Sequence, residues 1–257
     1  MSTVLDRFSL EGKRAIVTGG TKGLCNGMAN AMHEAGAEIV LLGVMDALED
    51  SAHAMGRTGA PVHAVRCDLS KRETIDKAYS ECLEKLRGRV DILLNGAGAQ
   101  FRAPAVEFPY DRWERILSIN LSAVFYLSQL AGRTMLSQEY GRIINVASMC
   151  SFFGSECIPA YTASKSGVAG LTKALSNEWA SHGVTVNAIA PGYMATGLTD
   201  DLKQNNPSQY ESITNRIPMG RWGTPEDLQG LCVFLASEAA AYITGAIIPV
   251  DGGFLGK

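Results

Sequence analysis

The sequence predicts a doubly wound α/β fold of a single domain over residues 1–257, with about seven parallel strands and helices on both faces. Three observations carry this. Short aliphatic runs alternate with longer helical stretches along the whole chain. Those runs are apolar throughout instead of alternating with polar residues, the pattern of strands covered on both faces. No linker, repeat or low-complexity tract interrupts them, and 257 residues that are 46% hydrophobic and 19% charged suffice for one large core.

The first run, AIVT (15–18), meets the turn Thr18-Gly19-Gly20-Thr21-Lys22-Gly23-Leu24-Cys25, which opens into a helix through Met28, Met32 and Ala35. Glycines at a strand-to-helix turn allow a tight backbone and let a pyrophosphate approach the helix N-terminus. EIVLL (38–42) is the second strand, followed by a helix over 47–55. VHAVRC (62–67) is the third; it runs out at Asp68 and Leu69 before a helix over 71–86. DILLN (91–95), the fourth, ends in Asn95-Gly96-Ala97-Gly98, so three strand ends carry small or polar residues at one edge of the sheet. A helix over 111–136 leads to RIINVAS (142–148), and a helix over 161–182 leads to TVNAIA (185–190). Thr224-Pro225-Glu226-Asp227 starts a helix over 225–237, with a hydroxyl, a first-turn proline and acids at the positive end of the dipole. AIIPV (246–250) is the last strand. Between the sixth and seventh strands, residues 197–221 are polar and Asn-rich. A long insertion leaving a strand's carboxyl end, where open sheets bind ligands, is expected to be a lid.

The net charge of −3 offers no footprint for nucleic acid or an anionic membrane. No apolar run approaches the roughly 18 residues of a spanning helix, and the start, MSTVLDRFSLEGKR, lacks the apolar stretch of a secretion signal. The expectation is a soluble, cytoplasmic protein with reduced thiols. Its six cysteines form no CxxC pair and its four histidines are dispersed, so no metal site is expected.

Candidate chemistry-bearing residues are Ser148, at the end of the fifth strand, and Tyr161 and Lys165 on the following helix, a pair that taken alone reads first as an incidental surface tyrosine and lysine. Positions i and i+4 share a helix face. An ammonium about 4 Å from a phenolate is worth roughly 4 kcal/mol at an effective dielectric near 20. That is enough to bring a tyrosine from about 10 towards roughly 7, where it can both give and take a proton.

On TGGTKGL (18–24), Asn95-Gly96-Ala97-Gly98, Asn120, Ser148, Tyr161-x-x-x-Lys165 and Pro191-Gly192-Tyr193-Met194-Ala195-Thr196, the chain resembles the short-chain dehydrogenase/reductase family over nearly its whole length. The resemblance implies a Rossmann-type fold and hydride transfer between a nicotinamide and an alcohol/carbonyl pair. It implies that Tyr161 is the general acid/base, that Ser148 hydrogen-bonds the substrate oxygen, that Lys165 holds the nicotinamide ribose and lowers the Tyr161 pKa, and that Asn120 anchors a relay water. By the same resemblance the cofactor lies along Gly19, Thr21, Lys22, Gly23, Leu24, Asn95, Ala97, Gly98, Tyr161, Lys165, Pro191 and Gly192. Asp68 and Leu69 meet the adenine, and Met194 and Thr196 the carboxamide. A homotetramer is implied too, through helices following Asn120 and Tyr161 and the segment Val250–Phe254.

Within the family, Gln100-Phe101-Arg102, residues 189–196, Arg216-Ile217-Pro218 and Gly220-Arg221-Trp222-Gly223 are similar to the branch of 2-deoxy-D-gluconate 3-dehydrogenases and gluconate 5-dehydrogenases. That implies a sugar or sugar-acid substrate, with Arg102 pairing with a carboxylate and Cys150 and Tyr193 on the substrate side. Against it, Glu156 would repel a carboxylate, and Cys150, Phe152 and Phe153 suit an apolar cyclic ketone such as a steroid. A non-catalytic nucleotide-binding protein is a third reading.

Two positions depart from the family pattern: Cys25 stands for the third glycine and Gly96 for a second asparagine. A thiol at a helix N-terminus tends towards the thiolate, which would repel pyrophosphate. Crowding by Cys25 is expected to weaken cofactor binding by about 1–2 kcal/mol. The residues after the second strand, Gly43, Val44, Met45 and Asp46, include no base beside Lys22. The expectation is therefore NAD(H), with NADP(H) as the alternative.

Overall fold

The computed structural model describes every residue except 1–2, 45, 58, 196–201 and 203. Its seven strands are β1 (Arg14–Thr18), β2 (Glu38–Gly43), β3 (Val62–Arg66), β4 (Ile92–Asn95), β5 (Gly141–Val146), β6 (Val184–Pro191) and β7 (Ile247–Val250). All pairings are parallel, in the order β3-β2-β1-β4-β5-β6-β7. The order reverses between β1 and β4, which opens a crevice at their carboxyl ends.

Helices α1 (Gly23–Glu34), α2 (Leu48–Met55) and α8 (Glu226–Ala236) cover one face, burying Val17, Ile39, Leu41, Leu94, Ile144 and Ile189. Helices α3 (Arg72–Lys85), α5 (Ala123–Ser137) and α6 (Pro159–Trp179) cover the other over Ile16, Val40, Leu42, Leu93, Ile143 and Val186. Successive residues of a strand thus enter opposite cores, which is why the runs read as unbroken apolar sequence. Each such side chain contributes about 1.5–3 kcal/mol. The edge strands β3 and β7 are only partly buried.

Four elements differ from their sequence-based expectations. The helix expected over 111–136 is interrupted: α4 (Tyr110–Leu117) passes through a π-helical turn, Ser118–Ser122, into α5. The extra residue lets Asn120 point into the interior, a device common at functional sites. Strand β5 stops at Val146, so Ser148 caps a short 3-10 turn, Met149–Ser151. Helix α6 starts two residues early on Pro159 and ends at Trp179. Within the expected lid, α7 (Pro207–Arg216) is a helix capped by Asn206, whose Oδ1 accepts from Gln209 N at 3.2 Å.

At the amino-terminal edge of the sheet, far from the crevice, the buried Glu38 carboxylate gathers Arg87, Arg14 at 3.6 Å and His63 at 3.2 Å. No helix among the described residues is long and apolar enough to cross a membrane.

Candidate active site

The glycine turn is built as a cradle. Gly19 (φ +73°) and Gly23 (φ +62°) take left-handed backbone that disfavours any side chain. A Cβ on Gly19 would lie 2.9 Å from Ala97 Cα, whereas one on Gly23 would meet nothing within 4 Å. Lys22 is the N-cap of α1 and makes no capping hydrogen bond, so the first N–H groups of the helix stay available to an anion. Thr18 fixes the facing turn: its Oγ1 accepts from Gly96 N at 2.9 Å and from Ala97 N at 3.0 Å. Thr18 was not singled out from the sequence, although a hydroxyl just before a glycine turn is a usable signal.

Asn120, Ser148, Tyr161 and Lys165 come together at the carboxyl edge. Asn120 is fully buried; its Oδ1 accepts from Ala99 N at 2.7 Å, and its Nδ2 donates to Ala99 O at 2.9 Å and Ser164 Oγ at 3.2 Å. Ser148 Oγ accepts from Cys150 N at 3.1 Å and is hydrogen-bonded to the Tyr161 phenol. Lys165 is buried, donates to Val146 O at 2.6 Å, and places Nζ 5.6 Å from the Tyr161 ring centre. Gly98 completes the group. A Cβ there would stand 3.6 Å from Asn120 Oδ1 and 4.0 Å from Lys165 Nζ, in the gap the glycine leaves between them.

The acidities correct the expectation of a phenol tuned towards neutrality. Burial pushes Tyr161 up to about 12, against the downward pull of its hydrogen bond to Ser148. Burial brings Lys165 down to about 8. Desolvation is the largest cause of both shifts, and the Lys165 ammonium is meanwhile bonded to Val146 O.

Cys25 and Gly96 prove to be one feature. The Cys25 Sγ fills the space a Cβ on Gly96 would need, and its thiol donates to Gly96 O at 3.2 Å. Burial raises this thiol to about 11, so it is neutral and no thiolate faces the phosphate cradle. The expected repulsion of pyrophosphate is therefore absent, for desolvation exceeds the pull of the helix terminus.

The other predicted residues divide. Thr21 lies in the turn before α1, Leu24 packs against the core under α1 and Leu69 is buried in the core under α3, while Asp68 accepts from Ser70 N and Oγ at 3.0 and 2.7 Å, which holds its carboxyl below the usual range. The Asn95 side chain turns inward, donating to Ser128 Oγ at 3.1 Å and Asn145 Oδ1 at 2.9 Å; it supports the strand ends from below. Pro191 ends β6, Gly192 N donates to Val250 O at 3.0 Å, and Met194 bridges to Gly223. Thr196 lies outside the described residues. Arg102 is exposed on a loop pinned by Ala103 N donating to Cys157 O at 3.0 Å, and its charge is felt at Cys150 and Tyr193. A cavity of about 390 Å³ walled by Phe152, Phe153, Phe254 and Leu255 carries two cations, Arg216 and Lys257.

Comparison with known proteins shows which chains this one is similar to. The short-chain dehydrogenase-type family model described as enoyl-(acyl carrier protein) reductase matches residues 19–255. The 2-dehydro-3-deoxy-D-gluconate 5-dehydrogenase of Bacillus subtilis is 45% identical over 257 residues, covering 100% of both chains. A Beutenbergia cavernae structure, described as an NAD(P) dependent gluconate 5-dehydrogenase with NADP bound at low occupancy, superposes with a TM-score of 0.93. It shares 44% identity and covers 98% of this chain and 100% of its own. The Burkholderia cenocepacia gluconate 5-dehydrogenase, in complex with NADP and tartrate, gives a TM-score of 0.91 at 35% identity, covering 99% and 100%.

Proposed function

The chain belongs to the short-chain dehydrogenase/reductase family, and on that premise we propose that it is a nicotinamide-dependent oxidoreductase acting on a secondary alcohol/ketone of a sugar acid. The carrying observation is the convergence of Ser148, Tyr161 and Lys165 on one edge, beside a loop that presents Arg102. The bound nicotinamide would supply or accept the hydride, and Gly19, Gly23, Gly98 and the uncapped start of α1 fit its dinucleotide. Ser148 Oγ accepts from Cys150 N and is hydrogen-bonded to the Tyr161 phenol, so a substrate oxygen seated between the two hydroxyls would take the proton Ser148 now directs at the phenol. Tyr161, protonated at neutral pH, gives its proton to a carbonyl in the reducing direction. In the oxidising direction it must first lose that proton. Lys165, with its acidity near neutrality, stabilises the phenolate as it forms and exchanges a proton through the gap at Gly98.

Arg102, exposed on its loop and with its charge felt at Cys150 and Tyr193, pairs with the substrate carboxylate, which favours an anionic substrate over an apolar cyclic ketone. Of the expected lid, residues 197–201 and 203 lie outside the described residues; its helix α7 covers the site, seated by Tyr210 stacking on Trp222 at 4.8 Å and by Trp222 Nε1 donating to Thr214 Oγ1 at 2.9 Å. The protein works as a cytoplasmic homotetramer. Exposed Tyr110 and Phe125 on α4 and α5, with the open edge of β7, are the faces that would be covered.

Turnover of the purified protein is to be measured with 2-dehydro-3-deoxy-D-gluconate, gluconate, 5-ketogluconate and an apolar cyclic ketone, each with both dinucleotides. Activity confined to sugar acids and abolished by Tyr161→Phe supports the reading. A preference for the apolar ketone overturns the substrate class, and the absence of any turnover overturns the enzyme.

A further inference from the structure

The expectation of NAD(H) rested on finding no base after β2; the fold brings one from β3. Gly43 and Arg66 are register partners at the ends of their strands, and Cys67 N donates to Gly43 O at 2.9 Å. Val65 and Cys67 are buried against α3, so Arg66 between them projects on the opposite face, that of α1 and α2. Its guanidinium curls over the end of β2. One nitrogen, Nη2, donates to Val44 O at 3.2 Å and to Asp46 Oδ1 at 2.9 Å. The β2–α2 loop is also tied to the glycine turn, with Ser51 Oγ donating to Thr21 O at 3.3 Å next to exposed Lys22. At the strand end itself, Gly43 carries no acid to take a ribose 2′-hydroxyl, and a Cβ there would meet only Leu48, at 3.9 Å.

We propose that Arg66 selects a dinucleotide carrying a 2′-phosphate, and that Asp46 holds the guanidinium in place until that phosphate displaces it. The inference rests on the reading of this chain as a nicotinamide enzyme and adds which dinucleotide it takes and by which residues. An arginine offers a planar fork of donors that matches phosphate oxygens two at a time. Its present partner is a single, fully exposed carboxylate, and a pair so open to water holds weakly. A phosphate monoester carries nearly twice the charge and more acceptor oxygens, so it wins the exchange. Lys22, across the turn, adds a second positive charge.

The test is equilibrium binding of NADPH and NADH to the full-length wild type, Arg66→Gln, Arg66→Lys and Asp46→Asn, with thermal melting to confirm folding. Arg66 is a surface side chain, so the variants are expected to fold. The wild type is expected to bind NADPH at least about tenfold tighter than NADH. Arg66→Gln loses about tenfold for NADPH and nothing for NADH, and Arg66→Lys falls between. Asp46→Asn tightens NADPH alone. If Arg66→Gln leaves NADPH binding unchanged, or weakens both dinucleotides equally, the assignment of Arg66 is wrong. Wild type that binds NADH at least as well as NADPH overturns this inference and leaves the enzyme reading standing; binding of neither overturns both.

Discussion

Replacing Gly96 by asparagine, the residue of the family pattern, should damage this protein, and removing the Cys25 side chain should repair the damage. A side chain at 96 would place its Cβ inside the contact sphere of Cys25 Sγ, 3.2 Å from Cys25 Cβ and 3.0 Å from Thr18 O. Neither neighbour can yield. Thr18 Oγ1 holds Gly96 N and Ala97 N, and the Cys25 thiol is buried and bonded to Gly96 O. Overpacking of this kind costs about 1–3 kcal/mol. Cys25→Gly alone loses a buried thiol and adds a helical glycine, for about 1–2 kcal/mol. In the double variant the asparagine takes the volume the sulfur leaves, so the two losses should fail to add by about 1–2 kcal/mol. Urea denaturation of the four proteins reads this directly, and in melting each kcal/mol appears as roughly 2–4 °C. NADPH affinity should follow the same pattern, because Gly96 and Ala97 shape the turn that faces the phosphate cradle. A double variant that loses the sum of the single losses refutes the coupling.

Tyr161→Phe should lower turnover by about 10²–10⁴ while leaving dinucleotide affinity and melting unchanged; loss of binding instead would make the phenol structural. Lys165→Met should stabilise the protein at pH 7. The folded chain releases the Lys165 proton near pH 8, the unfolded chain near 10.5, so the ammonium costs on the order of 3–4 kcal/mol below pH 8. The stability difference between wild type and Lys165→Met should therefore shrink as pH rises from 8 to 10.5; a difference independent of pH contradicts the burial argument. Glu38→Gln should destabilise by about 1–3 kcal/mol with no effect on kcat, since it strands Arg14 and Arg87 far from the crevice. Glu38 titrates below the usual carboxylate range, so its contribution is present above about pH 4.5 and fades as pH falls through the lower folded value. Sedimentation at micromolar concentration should give a tetramer; a monomer refutes that part of the assembly.

The order of strands and helices, the cradle of glycines and the identity of Ser148, Tyr161 and Lys165 were all legible in the sequence. These depend on near neighbours: continuous apolar runs mark strands with two covered faces, glycine punctuates the turn, and a separation of four places two side chains on one helix face. The π-helical turn at Asn120 was not legible, because it is imposed by the reach of that side chain to Ala99, a loop 21 residues earlier.

By itself, then, the sequence determined the fold through periodicity within single elements, while the kind of chemistry and the residues proposed to carry it came from the resemblance of its motifs to a family. Tertiary structure alone decided how those residues are tuned. Cys25 and Gly96 are separated by 71 residues and look like two defects until their atoms are seen to share one space. Arg66 belongs to one strand and acts at the end of another, so counting along the chain from β2 passes it by. The Tyr161 and Lys165 acidities follow from how completely each is removed from water, and desolvation is set by the surroundings that long-range packing assembles.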